Sequence, residues 1–456
     1  MKELKISEIV DATKGKLICG DENTKITAVS TDTRKIEENS IFVPLIGENF
    51  DGHNFIYDAF LKGSEAALTQ KNLAKTEKTI IKVENTLNSL ADIASLYRKK
   101  FNIPIVAITG SVGKTTTKEM ISEVMSTKYK TLKTQGNLNN EIGLPMTLFG
   151  LDRSYQAAII EMGMNHSGEI SHLARATRPT MGVITNIGVS HIENLGSREN
   201  ILKAKLEMLE GLKWGSTLVL NGDNDLLSKV RDEDYNIVFF GIENESCQIR
   251  AKDIEQLEES TRFTVIYEDQ SENVEIPTLG IHNVYNALCA ITVGVLHDIS
   301  LGDTSKALKK YTPSGMRQRI KKQGGITFIE DCYNASPDSV KASLSTLHDM
   351  GSGRKIAVLG DMFELGSISN QAHYDSGLEA AKNEVDILFA FGEMSKNTVK
   401  AAKKYGIKKA QGFTDKSKMI KVLEETLKEN DTVLFKASRG MALEEVIEAI
   451  YDKIKA

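Results

Sequence analysis

Tryptophan, cysteine and proline are scarce in this 456-residue chain, which contains one, four and seven of them respectively. The four cysteines lie far apart and show no C-x-x-C spacing, so the sequence indicates neither a zinc site nor a disulfide framework. No apolar run approaches the roughly 20 residues that a membrane-spanning helix needs. The N-terminus has no apolar signal segment. We therefore expect a cytoplasmic protein without stable membrane insertion.

An excess of charge of one sign is also missing. The net charge is −5, and lysine and arginine are spread along the chain, which gives no electrostatic reason to expect a nucleic-acid partner. The length predicts two to four domains with ample buried core. We expect a monomer.

The most informative stretch runs from Ile105 to Thr117. Four apolar residues, Ile105 to Ile108, predict a buried strand, and a glycine turn is followed by the start of an amphipathic helix. This arrangement is typical of a phosphate-binding loop in the short form G-x-x-G-K-T, because glycines let backbone N–H groups approach an anion at a helix N-terminus. The predicted nucleotide-binding residues here are Gly110, Ser111, Val112, Gly113, Lys114, Thr115 and Thr116. A phosphate site alone does not specify the reaction.

Further polar residues follow the predicted strands of the middle of the chain. Glu161 follows an apolar strand, Ala157 to Ile160, and His191 comes shortly after another, Met181 to Thr185. Ligands bind at the carboxyl ends of parallel strands, so both side chains could hold Mg²⁺ beside the phosphate loop. Taken alone, His191 is more simply explained as a hydrogen-bonded polar group.

Two asparagines, Asn283 and Asn286, lie three residues apart on one face of a predicted helix. Their amides could contact an adenine edge, and helix capping is the alternative for Asn283.

The two ends of the chain carry polar loops as well. Near the N-terminus, Ser30 to Arg34 and Gly47 to Phe55 are either turns that hold a polar ligand or ordinary surface turns. After residue 312 the pattern predicts an open, mostly parallel sheet. Its strands are Thr327–Ile329, Lys355–Leu359, Ile387–Phe391 and Thr432–Phe435. Three polar loops follow these strands and should meet at one edge of the sheet, but no G-x-G-x-x-G motif indicates a dinucleotide.

Taken together, these motifs resemble the Mur ligases, the ATP-dependent amide-forming enzymes of peptidoglycan synthesis. The resemblance rests on the short phosphate loop, Gly136 to Gly143, Glu161 to Asn165, Thr185 to His191 and His282 to Asn286. It implies an α/β fold with three domains: a small α/β N-terminal UDP-substrate domain (1–98), a central P-loop ATPase domain (99–312) and a C-terminal Rossmann-like dipeptide-binding domain (313–456). The linkers near residues 99 and 312 should let the outer domains swing about the central one.

Within the family, two loops of the last domain resemble one member in particular. Residues 331–338 and 358–366 are similar to those of the ligase that joins D-alanyl-D-alanine to UDP-N-acetylmuramoyl-tripeptide through an acyl phosphate. The alternatives are the member that adds the third peptide residue, a ligase of the folylpolyglutamate type, and, from another class, a P-loop switch without ligase activity.

The resemblance also implies roles for individual residues. ATP and two Mg²⁺ ions would be bound. Catalysis would involve Lys114, His191 and Lys205. The metal ligands would be Thr115, Glu161, His191 and a carbamate formed on Lys205. The nucleotide would also contact Asn283, Asn286, Arg317 and Asp331, with Arg319 as an alternative to Arg317. The UDP end of the substrate would contact Ser30, Thr31, Asp32, Arg34, Gly47, Asp51 and His53. The remaining substrate contacts would come from Asn137, Asn139, Asn334, Ser336, Lys436, Ser438 and Arg439.

Overall fold

A computed structural model gives the fold of residues 1–313, 315–350 and 353–455. It has three mainly parallel sheets flanked by helices, one in each third of the chain. The α/β prediction is therefore confirmed.

The N-terminal unit is built on a five-stranded sheet of order β2-β9-β8-β5-β4, in which β2 is antiparallel and the other strands are parallel. Two further strand pairs, β1-β3 and β6-β7, are antiparallel. The strands are β1 (Leu4–Lys5), β2 (Lys16–Cys19), β3 (Lys25–Ile26), β4 (Ala28–Ser30), β5 (Ser40–Phe42), β6 (Ile46–Gly47), β7 (Phe50–Asp51), β8 (Ser64–Thr69) and β9 (Thr79–Lys82). The helices are α1 (Ile6–Thr13), α2 (Ile56–Leu61) and α3 (Thr86–Arg98).

Helix α3 joins the N-terminal unit to the middle of the chain. The side chain of Asn85 caps it by accepting a hydrogen bond from the Asn88 N–H group. At the other end the buried Arg98 guanidinium donates to the carbonyl oxygens of Phe101, at 2.5 Å, and Thr177, at 3.1 Å. The apolar face of α3 lies in a continuous buried cluster that extends from the first sheet into the central one. The first two units therefore share one hydrophobic core.

The central unit contains a nine-stranded sheet of order β11-β12-β10-β13-β14-β15-β16-β17-β18. Its strands are β10 (Ile105–Thr109), β11 (Thr131–Lys133), β12 (Ala157–Glu161), β13 (Met181–Ile184), β14 (Thr217–Asn221), β15 (Asn236–Gly241), β16 (Ile249–Gln256), β17 (Thr261–Tyr267) and β18 (Gln270–Ile276). Its helices are α4 (Lys114–Met125), α5 (Gly143–Phe149), α6 (Glu169–Thr177), α7 (Ile192–Leu195), α8 (Arg198–Leu206), α9 (Ile281–Val295) and α10 (Leu301–Leu308).

The parallel part of this sheet is covered by helices, and β10, β12 and β13 are wholly buried, as continuous apolar runs require. These three strands are neighbours, so the loops after them meet at one point. Strands β16 to β18 form an antiparallel extension that the sequence pattern did not predict.

The C-terminal unit has a six-stranded sheet of order β19-β20-β24-β21-β22-β23, parallel except for β19. Its strands are β19 (Arg319–Gln323), β20 (Ile326–Glu330), β21 (Lys355–Gly360), β22 (Ile387–Phe391), β23 (Lys409–Phe413) and β24 (Thr432–Lys436). Its helices are α11 (Pro337–Met350), α12 (Ser369–Lys382), α13 (Ser395–Lys404), α14 (Lys416–Thr426) and α15 (Glu444–Lys455). Two buried clusters, one on each face of the sheet, form its core. The four strands predicted from the sequence are confirmed.

Every helix in the described part of the chain is too short or too polar to cross a bilayer.

Candidate active site

A cavity of about 570 Å³ lies between the central and C-terminal units. The central unit contributes the phosphate loop, the loops after β12 and β13, and the first turns of α9. The C-terminal unit contributes the loop after β20 and the start of α11. The carboxyl ends of strands from two parallel sheets thus face one cavity, the position at which such sheets bind ligands.

The phosphate loop is shaped by close contacts with the loop after β13. Gly110 approaches Thr185 so closely that a Cβ atom at Gly110 would lie 1.9 Å from the Thr185 hydroxyl oxygen. The N–H groups of Ser111 and Val112 donate to the backbone and side-chain oxygens of Asn186, at 3.1 and 2.9 Å. Asn186 therefore fixes the backbone of the phosphate loop at Ser111 and Val112.

The N–H groups that remain for an anion lie at the start of α4. Gly113 precedes the helix with a left-handed φ of 82°, which favours glycine. The N–H groups from Gly113 to Thr116 make no hydrogen bond within the described residues. Free N–H groups at the N-terminus of a 12-residue helix suit a phosphate.

Lys114 is one of the residues that line the cavity. Its ammonium donates to the carbonyl oxygen of Gly110 at 2.8 Å. Burial lowers the pKa of Lys114; the Glu161 carboxylate opposes this shift, Arg317 adds to it, and Glu364 opposes it. A bound phosphate would favour the charged form in the same way as the carboxylates do.

Glu161 is buried and held by two neighbours from different loops. The Thr115 hydroxyl donates to Glu161 Oε2 at 2.9 Å, and the Asn139 side chain donates to Oε1 at 2.7 Å. The structure thus brings together a predicted metal-ligand pair and a predicted substrate residue. Asn137 lines the same cavity from the same loop.

Lys118 belongs to this site although sequence reasoning missed it. Its side chain is fully buried, and Nζ lies 3.1 Å from Glu119 Oε1 and 3.7 Å from Glu161 Oε2 without a hydrogen bond. Lys118 lies one helical turn after Lys114 and three residues before the buried Ile121. That spacing places it on the inner face of α4 and was the available signal.

His191 follows β13 and lines the cavity, as predicted. Its Nδ1 atom lies 2.5 Å from Glu364 Oε2 of the C-terminal unit, a close contact of an imidazole nitrogen with a carboxylate that lacks the angular geometry of a hydrogen bond. The contact with His191 is the main cause that lowers the pKa of Glu364, and burial opposes it. Sequence reasoning placed Glu364 in a polar loop but assigned it no role.

Lys205 lies on α8, outside the cavity wall, and is 1% exposed. Burial lowers its pKa well below the usual value, and the positive charge of Lys114 adds to this shift. Its side chain has no hydrogen bond or ion pair among the described residues. Lys203, two residues earlier, is exposed.

The two asparagines of α9 line the cavity and also fasten α9 to α4. Asn286 accepts a hydrogen bond from the Thr117 hydroxyl at 3.0 Å and donates to Asn283 at 3.0 Å. Asn283 donates in turn to the side chain of Gln318 at 2.8 Å. Most of their hydrogen-bonding capacity is therefore used inside the protein.

Of the two candidate arginines, only Arg317 lines the cavity. Its guanidinium lies 4.0 Å from the centre of the Tyr333 ring, a cation–π contact. Arg319 is 59% exposed in its side chain and lies 3.8 Å from Glu330. The geometry favours Arg317 for nucleotide contact.

Gln318, between the two arginines, is a further residue that sequence reasoning missed. It has a left-handed φ of 52° and its amide contacts His282 and Asn283 of the central unit and Thr346 of the C-terminal unit. No local pattern in the sequence marks these partners, which are far apart in the chain.

In the C-terminal unit the buried Lys436 donates to Asp331 at 2.7 Å and to the Asn334 carbonyl oxygen at 3.0 Å. Asp331, Asn334, Ser336 and Lys436 all line the cavity, and their contacts with nucleotide and substrate stay predictions. Ser438 and Arg439 lie outside its wall. The Ser438 hydroxyl instead accepts a hydrogen bond from the Phe363 N–H group at 2.9 Å.

The predicted UDP contacts of the N-terminal unit lie outside this cavity. They are Ser30, Thr31, Asp32, Arg34, Gly47, Asp51 and His53. His53 is buried, its Nδ1 lies 2.7 Å from Asp51, and its Nε2 accepts from the Gln70 N–H group. Direct contact of His53 with a ligand is therefore disfavoured.

Asp32 in the same region forms a two-point ion pair with Arg34, and the hydrogen bonds from Arg34 lower the pKa of Asp32 to about 2. The role of this region in UDP binding stays a prediction.

Comparison with known proteins identifies the family. The Mur ligase middle domain model matches residues 108–294, and the model of the Mur ligase, glutamate ligase domain matches residues 316–439. The UDP-N-acetylmuramoyl-tripeptide–D-alanyl-D-alanine ligase of Bacillus subtilis is 38% identical to this chain over 453 residues, which cover 98% of each protein. The chain belongs to the Mur ligase family. The resemblance seen in the sequence is confirmed.

Solved structures of Mur ligases agree with the whole fold. MurF from Acinetobacter baumannii superimposes with a TM-score of 0.92 at 30% identity, covering 99% of both chains. The MurF ligase from Thermotoga maritima, solved in complex with ADP, has a TM-score of 0.86 at 28% identity and covers 94% of this chain and 98% of its own. In this Mur ligase the two matched ranges contain all the residues that line the cavity except Tyr311.

Proposed function

We propose that this chain joins D-alanyl-D-alanine to UDP-N-acetylmuramoyl-tripeptide and converts ATP to ADP and phosphate. The observation that carries the proposal is the single cavity in which the phosphate loop faces the polar loop after β20. The full-length relative from Bacillus subtilis bears the name of this activity. We further propose that the enzyme works in the cytoplasm, where ATP is supplied.

The reaction needs activation because a carboxylate is a poor electrophile. An oxygen of the tripeptide carboxylate attacks the γ-phosphorus of ATP, the bond to ADP breaks, and an acyl phosphate forms. The neutral amine of the dipeptide then attacks the acyl carbon, phosphate leaves with its electron pair, and the amine gives up a proton. Placing three substrates in contact accounts for much of the rate.

The residues of the cavity suit the first step. The free N–H groups from Gly113 to Thr116 would bind the phosphates, and Lys114 would neutralise charge on the transferred phosphoryl group. Thr115, Glu161 and His191 offer a hydroxyl, a carboxylate and an imidazole to Mg²⁺. Bound Mg²⁺ would withdraw charge from the phosphoryl oxygens.

The donor set around this metal position contains only one carboxylate, that of Glu161, among the described residues. Among residues 1–313, 315–350 and 353–455, no three His, Cys, Asp or Glu side chains group together as a metal site. Lys205 is buried and unpaired, and its lowered pKa favours the neutral amine that reacts with CO₂. We propose that this amine adds to CO₂, loses one proton and becomes a carbamate. The carbamate oxygens would complete the metal site and would allow it to hold two Mg²⁺ ions.

A pair of variants tests the carbamate. Lys205→Ala should lower turnover by on the order of 10²–10³-fold, the loss typical of one group that stabilises transition-state charge. Lys203→Ala on the exposed face of the same helix should leave turnover unchanged. Carbon NMR with ¹³C-bicarbonate should detect a carbamate in the parent protein and in Lys203→Ala, but not in Lys205→Ala. A spectrum without that signal in the active parent enzyme would exclude the modification.

The overall reaction is tested by measuring phosphate release and product mass together. Phosphate should appear only when ATP, UDP-muramoyl-tripeptide and D-Ala-D-Ala are all present, and the product should have the summed mass of the two peptides less one water. A ligase that adds the third residue would instead use the UDP-muramoyl-dipeptide. ATP hydrolysis independent of both peptide substrates would favour the P-loop switch.

A further inference from the structure

We infer that Glu364 is a positioning residue that orients His191 when the C-terminal unit docks on the central one. The inference rests on the proposed function, because it explains how the His191 imidazole is oriented to bind Mg²⁺. Among the described residues, Glu364 is the carboxylate of the C-terminal unit that contacts a predicted metal ligand of the central unit.

The contact joins two segments about 170 positions apart in the chain. His191 lies in the loop after β13, and Glu364 lies in the loop after β21. Glu364 Oε2 is 2.5 Å from His191 Nδ1, and the Glu193 N–H group donates to the Glu364 carbonyl oxygen at 3.3 Å. Side chain and backbone of Glu364 therefore both hold the His191 turn.

Both residues of the contact have an unfavourable backbone. His191 has a φ of 64° and Glu364 a φ of 61°, in the left-handed region that non-glycine residues seldom adopt. Such conformations persist where the surroundings hold them, and they concentrate at functional sites. Gly366 fits closely beside this contact, since a Cβ atom there would lie 3.2 Å from the Glu193 side chain. The two turns are thus fitted to each other.

The His191 loop also contacts the phosphate loop. The Gly188 N–H group donates to the Ser111 hydroxyl at 2.9 Å, and the Ser190 hydroxyl donates to the Ser111 carbonyl oxygen at 3.3 Å. One short loop therefore lies between the nucleotide site and the C-terminal unit. A change in docking reaches the phosphate loop through these hydrogen bonds.

The orientation of the imidazole explains what Glu364 achieves. With Nδ1 against a carboxylate, the free nitrogen is Nε2, which has no hydrogen bond within the described residues. A metal-binding histidine is commonly oriented by a carboxylate on its other nitrogen, and removal of that carboxylate typically lowers metal affinity or activity by about 10–100-fold. Because Glu364 belongs to the C-terminal unit, His191 is oriented only when that unit is docked.

Direct metal binding tests this coupling without turnover. Electron paramagnetic resonance can measure Mn²⁺ affinity with a non-hydrolysable ATP analogue, first alone and then with UDP-muramoyl-tripeptide and D-Ala-D-Ala. In the parent enzyme the two substrates should raise Mn²⁺ affinity by about tenfold or more. Glu364→Gln should abolish this gain and leave the affinity with the analogue alone unchanged. Glu193→Gln, an exposed neighbour, should behave like the parent.

Two further variants separate positioning from a structural role. Glu364→Gly accepts the left-handed backbone, so it should restore Mn²⁺ coupling if the turn is all that matters; we expect it to fail like Glu364→Gln. His191→Asn combined with Glu364→Gln should be no weaker than His191→Asn alone, because Glu364 acts through His191. Normal coupling in either Glu364 variant, or additive losses in the double variant, would overturn the inference. A parent enzyme that makes no product would instead overturn the proposed function.

Discussion

We predict that Lys114 binds the nucleotide phosphates and contributes nothing to the hydrophobic core. Its ammonium has one hydrogen bond, to the Gly110 carbonyl oxygen, in a wall otherwise open to the cavity. Lys114→Ala should lower kcat by about 10³-fold or more, because the charge on the transferred phosphoryl group loses its neutralising cation. Urea unfolding should change little. Near-normal turnover of this variant at saturating ATP would contradict the phosphate role.

The residues that could be predicted are those whose positions follow from the strand pattern of one sheet. Glu161 ends β12, and Thr115 lies at the start of the helix after β10, the neighbouring parallel strand, so their meeting follows from the strand pattern although they are far apart in the chain. Lys118 was missed because a lysine on a helix suggests solvent, although its helical spacing contradicted that. Gln318 and Glu364 depend on contacts between units, which no local periodicity encodes.

At the scale of elements, the contact between α4 and α9 holds the phosphate loop. Thr117 is fully buried and its hydroxyl donates to Asn286. Thr117→Val should destabilise the protein by about 1–3 kcal/mol, since it leaves the Asn286 oxygen without this partner in a buried site. Equilibrium urea unfolding measures the loss.

Thr292 offers a matched control on α9. It is equally buried, but its hydroxyl bonds to Leu288 within its own helix, so Thr292→Val removes no contact between helices. We expect a much smaller loss of stability. Equal losses in both variants would mean that the contact between α4 and α9 contributes no more to the free energy of unfolding than a hydrogen bond within one helix.

The apolar strands were predictable and the half-exposed ones were not. Strands β10, β12 and β13 are continuous apolar runs, a pattern that buried parallel strands share. Strand β16 carries charged residues along an antiparallel ribbon with exposed positions, so its pattern resembles a loop. Helix α8 ends at Leu206, because the chain tightens into a 3₁₀ turn from Glu207.

For the whole molecule, the two junctions between units differ in kind. The N-terminal unit shares a buried hydrophobic core with the central one. The C-terminal unit meets it mainly through polar contacts: Glu364 with His191, Gln318 with Asn283, and Asp338 close against Gly188. We therefore expect the C-terminal domain to move about the central one and the N-terminal domain to stay fixed, since polar interfaces separate more readily than shared hydrophobic cores.

Spin labels on exposed side chains can measure this motion. Substrates and nucleotide should shift the distance between labels at Trp214→Cys and Tyr405→Cys, in the central and C-terminal units. The distance between labels at Leu61→Cys and Trp214→Cys should stay constant. All three native side chains are exposed, at 82%, 45% and 87% for Trp214, Tyr405 and Leu61. A ligand-dependent change in the second pair would show that the N-terminal unit moves as well.

The shared core has a consequence for synthesis on the ribosome. Helix α3 packs against α1, which precedes it, and against α5 and α6, the second of which ends at Thr177, whereas α3 itself ends at Arg98. At translation rates of roughly 5–20 residues per second, the chain between these points takes on the order of 4–16 seconds to make. During that interval part of the apolar face of α3 is uncovered, so the nascent chain needs protection from aggregation until α6 has emerged.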